Sequence, residues 1–358
     1  LLTGGLLVRI QPEEPSRLAI RPPLQRIIVG MMLATEFRSV FLRLRPMLGT
    51  LVLSASFGVA GHTQSAPEPG TPTTVAERTS AWQAHQRLAA TSPFASLPWR
   101  VLGPSQQSAR IEAIAVPRGS RNTIYAGPSA GNVWKSTNNG LTWTPIFDHE
   151  SAFAIGDLAI APSNPDIVWV GTGEVQPRHS GYAFAGTGVF KSTDAGKTWN
   201  AMGLADSHHI AKILIDPSNP DIVYVAAMGH QWTPNAERGV FKTTDGGRTW
   251  ARALYLDDVT GAIDLAMDPA HPATVYAAMW QIETGPKSGL YRSRDAGRTW
   301  QKLGNGLPAG LIGRANIDVS PSRPSTVYTF LDNRSPVDGN KDRPFVGGEV
   351  YRSDDGGE

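Results

Sequence analysis

The sequence predicts an all-β chain folded as a β-propeller of four-stranded blades, and three observations predict it. An octet, Ser-Thr-Asp-Ala-Gly-Lys-Thr-Trp at residues 192–199, recurs along the 358 residues. A second phrase, Pro-Ser-Asn-Pro-Asp-Ile-Val, recurs between the octets at 162–168 and 217–223. The glycines of successive octets, Gly140, Gly196, Gly247, Gly297 and Gly357, stand 56, 51, 50 and 60 residues apart. Repeat periods of about 40–50 residues belong to propeller blades.

Each octet reads as a tight turn between two strands. Val-Phe-Lys or Leu-Tyr-Arg enters and Thr-Trp leaves, so β-branched and aromatic residues flank a Ser/Asp/Gly cluster. The acidic residue can accept backbone N–H bonds inside the turn, and the glycine can take positive φ without strain. The copies centre on Asn138, Asp194, Asp245, Asp295 and Asp355, and the first four end at Trp143, Trp199, Trp250 and Trp300. An indole of that size buries roughly 150–250 Å², about 4–6 kcal/mol gross, so the tryptophans are expected to carry much of the packing between blades. These residues are assigned a structural role.

The second phrase fixes the rest of the blade. Looser copies lie at 267–276 and 319–328, and each is a strand, a proline-locked turn and another strand. A blade then has four strands: one before the proline turn, one after it, one entering the octet and one leaving it. In such an up-and-down order the first and third turns share one face. The opposite face receives the long, dissimilar loops: 171–188, 227–239, 279–289 and 330–348 within blades, and 147–156, 203–210, 254–261 and 303–313 between them. Function concentrates in variable loops held by a rigid scaffold, so that face is where a ligand is expected.

The octet resembles the Asp-box, or bacterial neuraminidase repeat, of pattern Ser-x-Asp-x-Gly-x-Thr-Trp, and the resemblance covers residues 109–358. The family includes sialidases, xyloglucanase-type glycoside hydrolases, sortilin-type receptor ectodomains and uncharacterised secreted bacterial propellers. The resemblance implies that the boxes are structural and lie away from the substrate face. Asn138 departs from the pattern and carries no charge. The Phe/Tyr-Arg-Ile-Pro phrase of sialidases is not found, which argues against that activity. In the xyloglucanase type two propellers build a cleft with acid and base from different halves. No position matches that motif well enough to carry a catalytic residue across.

Residues 1–66 read as upstream sequence plus a secretory signal peptide, with the start at Met31 or Met32. Arg38, Arg43 and Arg45 precede an apolar run of 14 residues at 47–60, too short for the ~20 residues of a membrane span. The expected location is secreted or periplasmic, without membrane insertion once the signal is cleaved. Residues 67–108 read as a linker with one short helix over 75–90. Five blades begin in 109–358 and the fifth stops mid-turn, so Glu358 is expected to be a truncation.

Charge follows the same division. The first 66 residues hold 7 Lys and Arg against 3 Asp and Glu, which leaves 26 against 28 for the remainder. With no basic stripe, a nucleic-acid partner is not expected. Cysteine is absent, which excludes disulfides, thiolate catalysis and cysteine-zinc sites.

On the loop face a glycosidase would need paired carboxylates. The candidates are Asp157, Glu174, Glu237, Asp257, Asp258, Asp264 and Glu283, of which Glu174, Glu237 and Asp264 are the catalytic candidates. Candidate ligand contacts are Arg178, His179, Tyr182, His230, Trp232 and Trp280. His179, His208-His209 and His230 could converge near the central channel, and the expectation is hydrogen-bonded structural histidines: no metal and no cofactor are assigned. Asp338, Asn340 and Asp342 have calcium-loop composition without its ligand spacing. The expected function is an exported propeller binding a protein, peptide or glycan on the loop face. The alternative is a xyloglucanase-like glycoside hydrolase with part of its site beyond residue 358. The oligomeric state does not follow from the sequence.

Overall fold

A computed structural model describes residues 73–97, 110–175, 184–337 and 344–358. The proposed signal segment, Arg178, His179, Tyr182 and 338–343 lie outside the described residues. One helix, α1 (Val75–Thr91), precedes the sheets and begins with a capping box in which Thr74 and Glu77 exchange bonds. Every other element among the described residues is a strand, in five antiparallel meanders.

The first sheet holds β1 (Ile111–Ala115), β2 (Ile124–Pro128), β3 (Trp134–Ser136) and β4 (Thr144–Pro145). The second holds β5 (Ile155–Ile160), β6 (Val168–Thr172), β7 (Val189–Ser192) and β8 (Asn200–Ala201). Next come β9 (Ile210–Ile215), β10 (Val223–Ala227), β11 (Gly239–Thr243) and β12 (Ala251–Leu254), then β13 (Thr260–Met267), β14 (Val275–Gln281), β15 (Gly289–Ser293) and β16 (Gln301–Lys302). The fifth sheet has three strands, β17 (Ile312–Val319), β18 (Val327–Pro336) and β19 (Phe345–Ser353). In each sheet the strands pair in chain order. The first strands β1, β5, β9, β13 and β17 pack against one another in succession, which makes them the inner strands.

The hydrophobic cores lie between sheets rather than within them. Tyr125, Val133 and Phe147 of the first blade share a cluster with Ile155, Val168 and Phe190 of the second. Three further clusters join the second blade to the third, the third to the fourth and the fourth to the fifth. A sheet buries both faces only when a neighbour covers each, so the blades stabilise one another in series.

The boxes behave as their chemistry requires. In the second, Ser192 Oγ accepts from the Gly196 N–H at 2.8 Å and donates to Asp194 Oδ1 at 2.7 Å. Asp194 in turn accepts from the Thr198 N–H at 2.9 Å and the Thr198 hydroxyl at 2.6 Å. The Thr198 hydroxyl and backbone bonds, followed by Ser192, hold its carboxyl well below the usual carboxylate range. Asn138 alters one link: its Nδ2 donates to Thr142 Oγ1 at 2.8 Å, reversing the bond. The turn needs positive φ at two consecutive residues, and non-glycines Asn139, Ala195 and Ala296 supply the first.

A joint repeats between blades. Tyr125 Oη and Lys135 Nζ both donate to the Ala195 carbonyl in the next blade's box, at 3.1 and 2.8 Å. Tyr224 and Lys242 meet the Ala296 carbonyl in the same way, and Tyr276 and Arg292 the Gly356 carbonyl. At the remaining joint Trp169 replaces the tyrosine, leaving Lys191 to reach the Gly246 carbonyl at 3.1 Å. The Trp199 and Trp250 indoles bond backward, to the Ile146 and Met202 carbonyls of the preceding blade, at 2.7 and 2.6 Å. Trp143 and Trp300 bond within their own turns, to the Gly140 and Gly297 carbonyls, and Trp143 stays 38% exposed. Trp300 still packs against the core between the third and fourth blades.

One expected loop is largely a hairpin. Residues 330–348 pair as Leu331 with Glu349, Asn333 with Gly347 and Pro336 with Phe345. The reason is period-two burial: Val327, Thr329, Leu331 and Asn333 face inward while Tyr328 and Phe330 face solvent.

Candidate functional site on the loop face

The two faces separate by their hydrogen bonds. Each box is tied to the proline turn of its own blade: the Ala195 N–H donates to the Asp166 carbonyl, Gly246 to Asp221, Ala296 to Ala273 and Gly356 to Ser325. Loops of the other face are tied to each other, through Gly186 N–H to the His208 carbonyl and Asp206 N–H to Glu237 Oε2. Boxes and long loops therefore occupy opposite rims.

On the long-loop rim, Trp232 and Trp280 line one cavity of about 530 Å³ with Gln231, Arg314, Asp332, Arg334 and Phe345. Trp232 is 63% exposed, whereas Trp280 is packed against the core between the fourth and fifth blades. The Arg314 guanidinium lies 4.5 Å from the Trp280 ring centre and donates to the Val175 carbonyl at 2.7 Å, spanning from the fifth blade to the second. Arg334 is paired with Asp332 at 2.6 Å and sits over Phe345. The cavity thus offers two indole surfaces and a rim of fixed charges, a combination suited to a polar ligand with an apolar face. Glu283 lies at its edge with positive φ.

The carboxylates expected as catalytic each have a hydrogen-bond or ion-pair partner. Glu174 is buried and paired with Arg110 at 2.6 Å. Glu237 accepts the Asp206 N–H at 2.8 Å, and burial raises its pKa. Asp264 accepts from the Ile317 and Leu265 N–H groups and from Asn316. Asp157 does the same at the joint between the second and third blades, accepting from the Ile213 N–H at 2.7 Å, and burial pushes its carboxyl up to about 6. Lys212 is raised, chiefly by Asp157 and with help from Asp264. Asp257 is paired with Lys287 at 2.7 Å.

The histidines form a separate cluster. His208 is not on a strand: its φ is 60°, and its ring stacks on His230 with centres 3.7 Å apart. Burial lowers His208 to about 3 and His209 to about 4, so both are neutral. His230 Nε2 lies 3.2 Å from Asp206 Oδ1, and its Nδ1 lies 2.9 Å from Thr233 Oγ1. Arg78 of α1 donates to the Gly186 and Ala205 carbonyls, docking the helix beside this cluster. Asp206, Arg78, Asp332, Arg334 and Phe345 were missed in the sequence; only Asp206 left a signal, the Asp-x-His spacing to His208.

Sheet order, joints and opposed rims define a β-propeller. The chain is similar to the sortilin-like and xyloglucanase-like propeller families. Residues 187–325 match the family described as Sortilin-Vps10, "Sortilin, neurotensin receptor 3". The chain is 24% identical over 258 residues to Xyloglucanase Xgh74A of Acetivibrio thermocellus, covering 62% of this chain and 28% of that protein. It is 27% identical over 236 residues to a xyloglucanase of Hypocrea jecorina, covering 60% and 28%. Among solved structures, the Niastella koreensis GH74 enzyme superposes with a TM-score of 0.51 at 22% identity, over 69% of this chain and 37% of that one. The chain therefore spans about 28% of the length of these curated relatives.

Proposed function

We propose that this is an exported propeller that binds a glycan, without cleaving it, in the cavity between Trp232 and Trp280. The supporting observation is that these two residues, distant in sequence, line one cavity on the rim that carries the irregular loops. Indoles stack on the apolar faces of sugar rings, and the Asp332–Arg334 pair offers directional polar contacts to hydroxyl groups. The non-catalytic reading rests on Glu174, Glu237 and Asp264 each being committed to a structural partner. The hydrolase reading draws on relatives whose names state xyloglucanase.

The test is calorimetric titration with xyloglucan and its oligosaccharides, run beside an assay for released reducing ends. Trp232→Ala is expected to weaken binding about tenfold, the equivalent of ~1.4 kcal/mol, with an unchanged circular dichroism spectrum. No reducing ends are expected. Turnover that disappears in Glu174→Gln or Glu237→Gln would establish the hydrolase instead, and wild-type affinity in Trp232→Ala would remove the cavity from consideration.

A further inference from the structure

The link from the second blade to the third meets the loop that follows β10, in which His230 directly precedes Gln231 and Trp232 of the cavity lining. Asp206 and His208 come from the first segment and His230 from the second, and one donor atom from each lies within 4.8 Å of the other two. We propose that Asp206, His208 and His230 bind a divalent transition-metal ion, zinc by choice of donors. Two imidazoles and a carboxylate suit zinc, whereas calcium and magnesium favour all-oxygen sets.

The surroundings are arranged as a metal's outer shell would be. Thr233 Oγ1, 2.9 Å from His230 Nδ1, fixes that ring so that Nε2 is directed at Asp206. Asn235 braces both segments: its Oδ1 accepts the His230 N–H at 3.0 Å, and its Nδ2 donates to the Asp206 carbonyl at 2.7 Å. His208 Nε2 is buried with no hydrogen-bond partner, and the residue is held at positive φ, a conformation that a non-glycine residue adopts at a cost. Coordination would satisfy that nitrogen and give the strained backbone a purpose.

Arg78 lies 3.9 Å from Asp206, and Arg78 and Arg238 both disfavour added positive charge at His208 and His230, so the Asp206 carboxylate is the group that has to balance the ion. Donors 2.0–2.2 Å from a tetrahedral zinc stand about 3.3–3.6 Å apart. Two imidazoles on one tetrahedral ion have ring centres about 5 Å apart, so the His208 ring has to swing out of its 3.7 Å stack on His230 to admit the ion, a change confined to two loop segments. Three protein donors leave a fourth position for water or for a ligand group, as in open zinc sites. Asp206, at 36% side-chain exposure against 8% for His230, marks the solvent side.

The experiment is titration of the purified full chain, stripped with chelator, with cobalt(II) as a spectroscopic probe and with zinc(II). One equivalent is expected to bind, with visible d–d absorption of tetrahedral or five-coordinate cobalt and a rise in the thermal midpoint. Thr233→Val should weaken affinity by about 10–100-fold, as loss of a supporting residue does, and His230→Ala should weaken it further. Should His230→Ala fail to fold, Asp206→Asn and His208→Gln decide the matter. Weakened cobalt affinity with unchanged circular dichroism supports the site, while wild-type affinity in both overturns it. Absence of stoichiometric uptake by the unmodified chain overturns it as well.

Discussion

Asn138 shows what a carboxylate contributes to the turn. It keeps the backbone bond to the Thr142 N–H through Oδ1 at 2.9 Å and swaps the direction of the bond to the threonine hydroxyl. An amide can therefore replace the charge without losing a partner. Asp245→Asn is expected to lower the thermal midpoint less than Asp245→Ala, which leaves the Thr249 N–H and the Thr243 hydroxyl unpaired; differential scanning calorimetry of the two variants checks the order. A loss of equal size would mean that charge, not hydrogen bonding, holds the turn.

Asp157 gives a pH dependence. Its folded pKa, raised by burial to about 6, exceeds the unfolded value near 3.9. Its contribution is therefore complete below about pH 4 and is lost as pH rises through about 6. Two pKa units at about 1.4 kcal/mol each put the difference near 3 kcal/mol. Asp157→Asn is expected to show a smaller fall in urea midpoint between pH 4 and pH 7 than the unmodified chain, since every other titrating group is common to both. Parallel pH profiles would contradict the assignment.

Among the elements, turns were legible and loop pairings were not. Ser192, Asp194, Gly196 and Thr198 can make their bonds only in one local conformation, so a string of residue types reports a geometry. The sheets they join follow from that, and so do the opposed rims. Trp232 and Trp280 were readable as exposed or half-exposed aromatics on the right rim, but their sharing of a cavity depends on how the third and fourth blades meet. Arg314 bonds to Val175 across 139 residues, a contact with no local trace in the sequence. In the 330–348 segment Pro336 and three glycines, Gly339, Gly347 and Gly348, signal a loop and mask the strand alternation of Thr329, Leu331 and Asn333. The partners of Glu174 and Glu237, Arg110 and the Asp206 N–H, lie 64 and 31 residues away in the chain and leave no local trace.

For the whole molecule, stability is a sum over joints between blades. Tyr224→Phe removes one hydroxyl donor while leaving Lys242 on the same carbonyl and over the ring. A loss of about 1 kcal/mol is expected by urea denaturation, against about 3–5 kcal/mol for Trp250→Ala, which empties the space between the second and third blades. Equal losses would contradict the division of labour between bond and packing. Tyr328 and Arg352 hold the matching positions in the fifth blade, with the guanidinium 5.8 Å from the ring centre and paired to Asp354.

The receiving half of each joint is a main-chain carbonyl, at Ala195, Gly246, Ala296 and Gly356. Such an acceptor has no codon of its own, so no single replacement can erase it while the bend keeps its shape. Mutation can silence the giving half alone, as Trp169 does for its missing hydroxyl. Sequence drift in this architecture is accordingly lopsided: the residue that offers the carbonyl can be alanine or glycine, as long as two successive residues keep their left-handed turn.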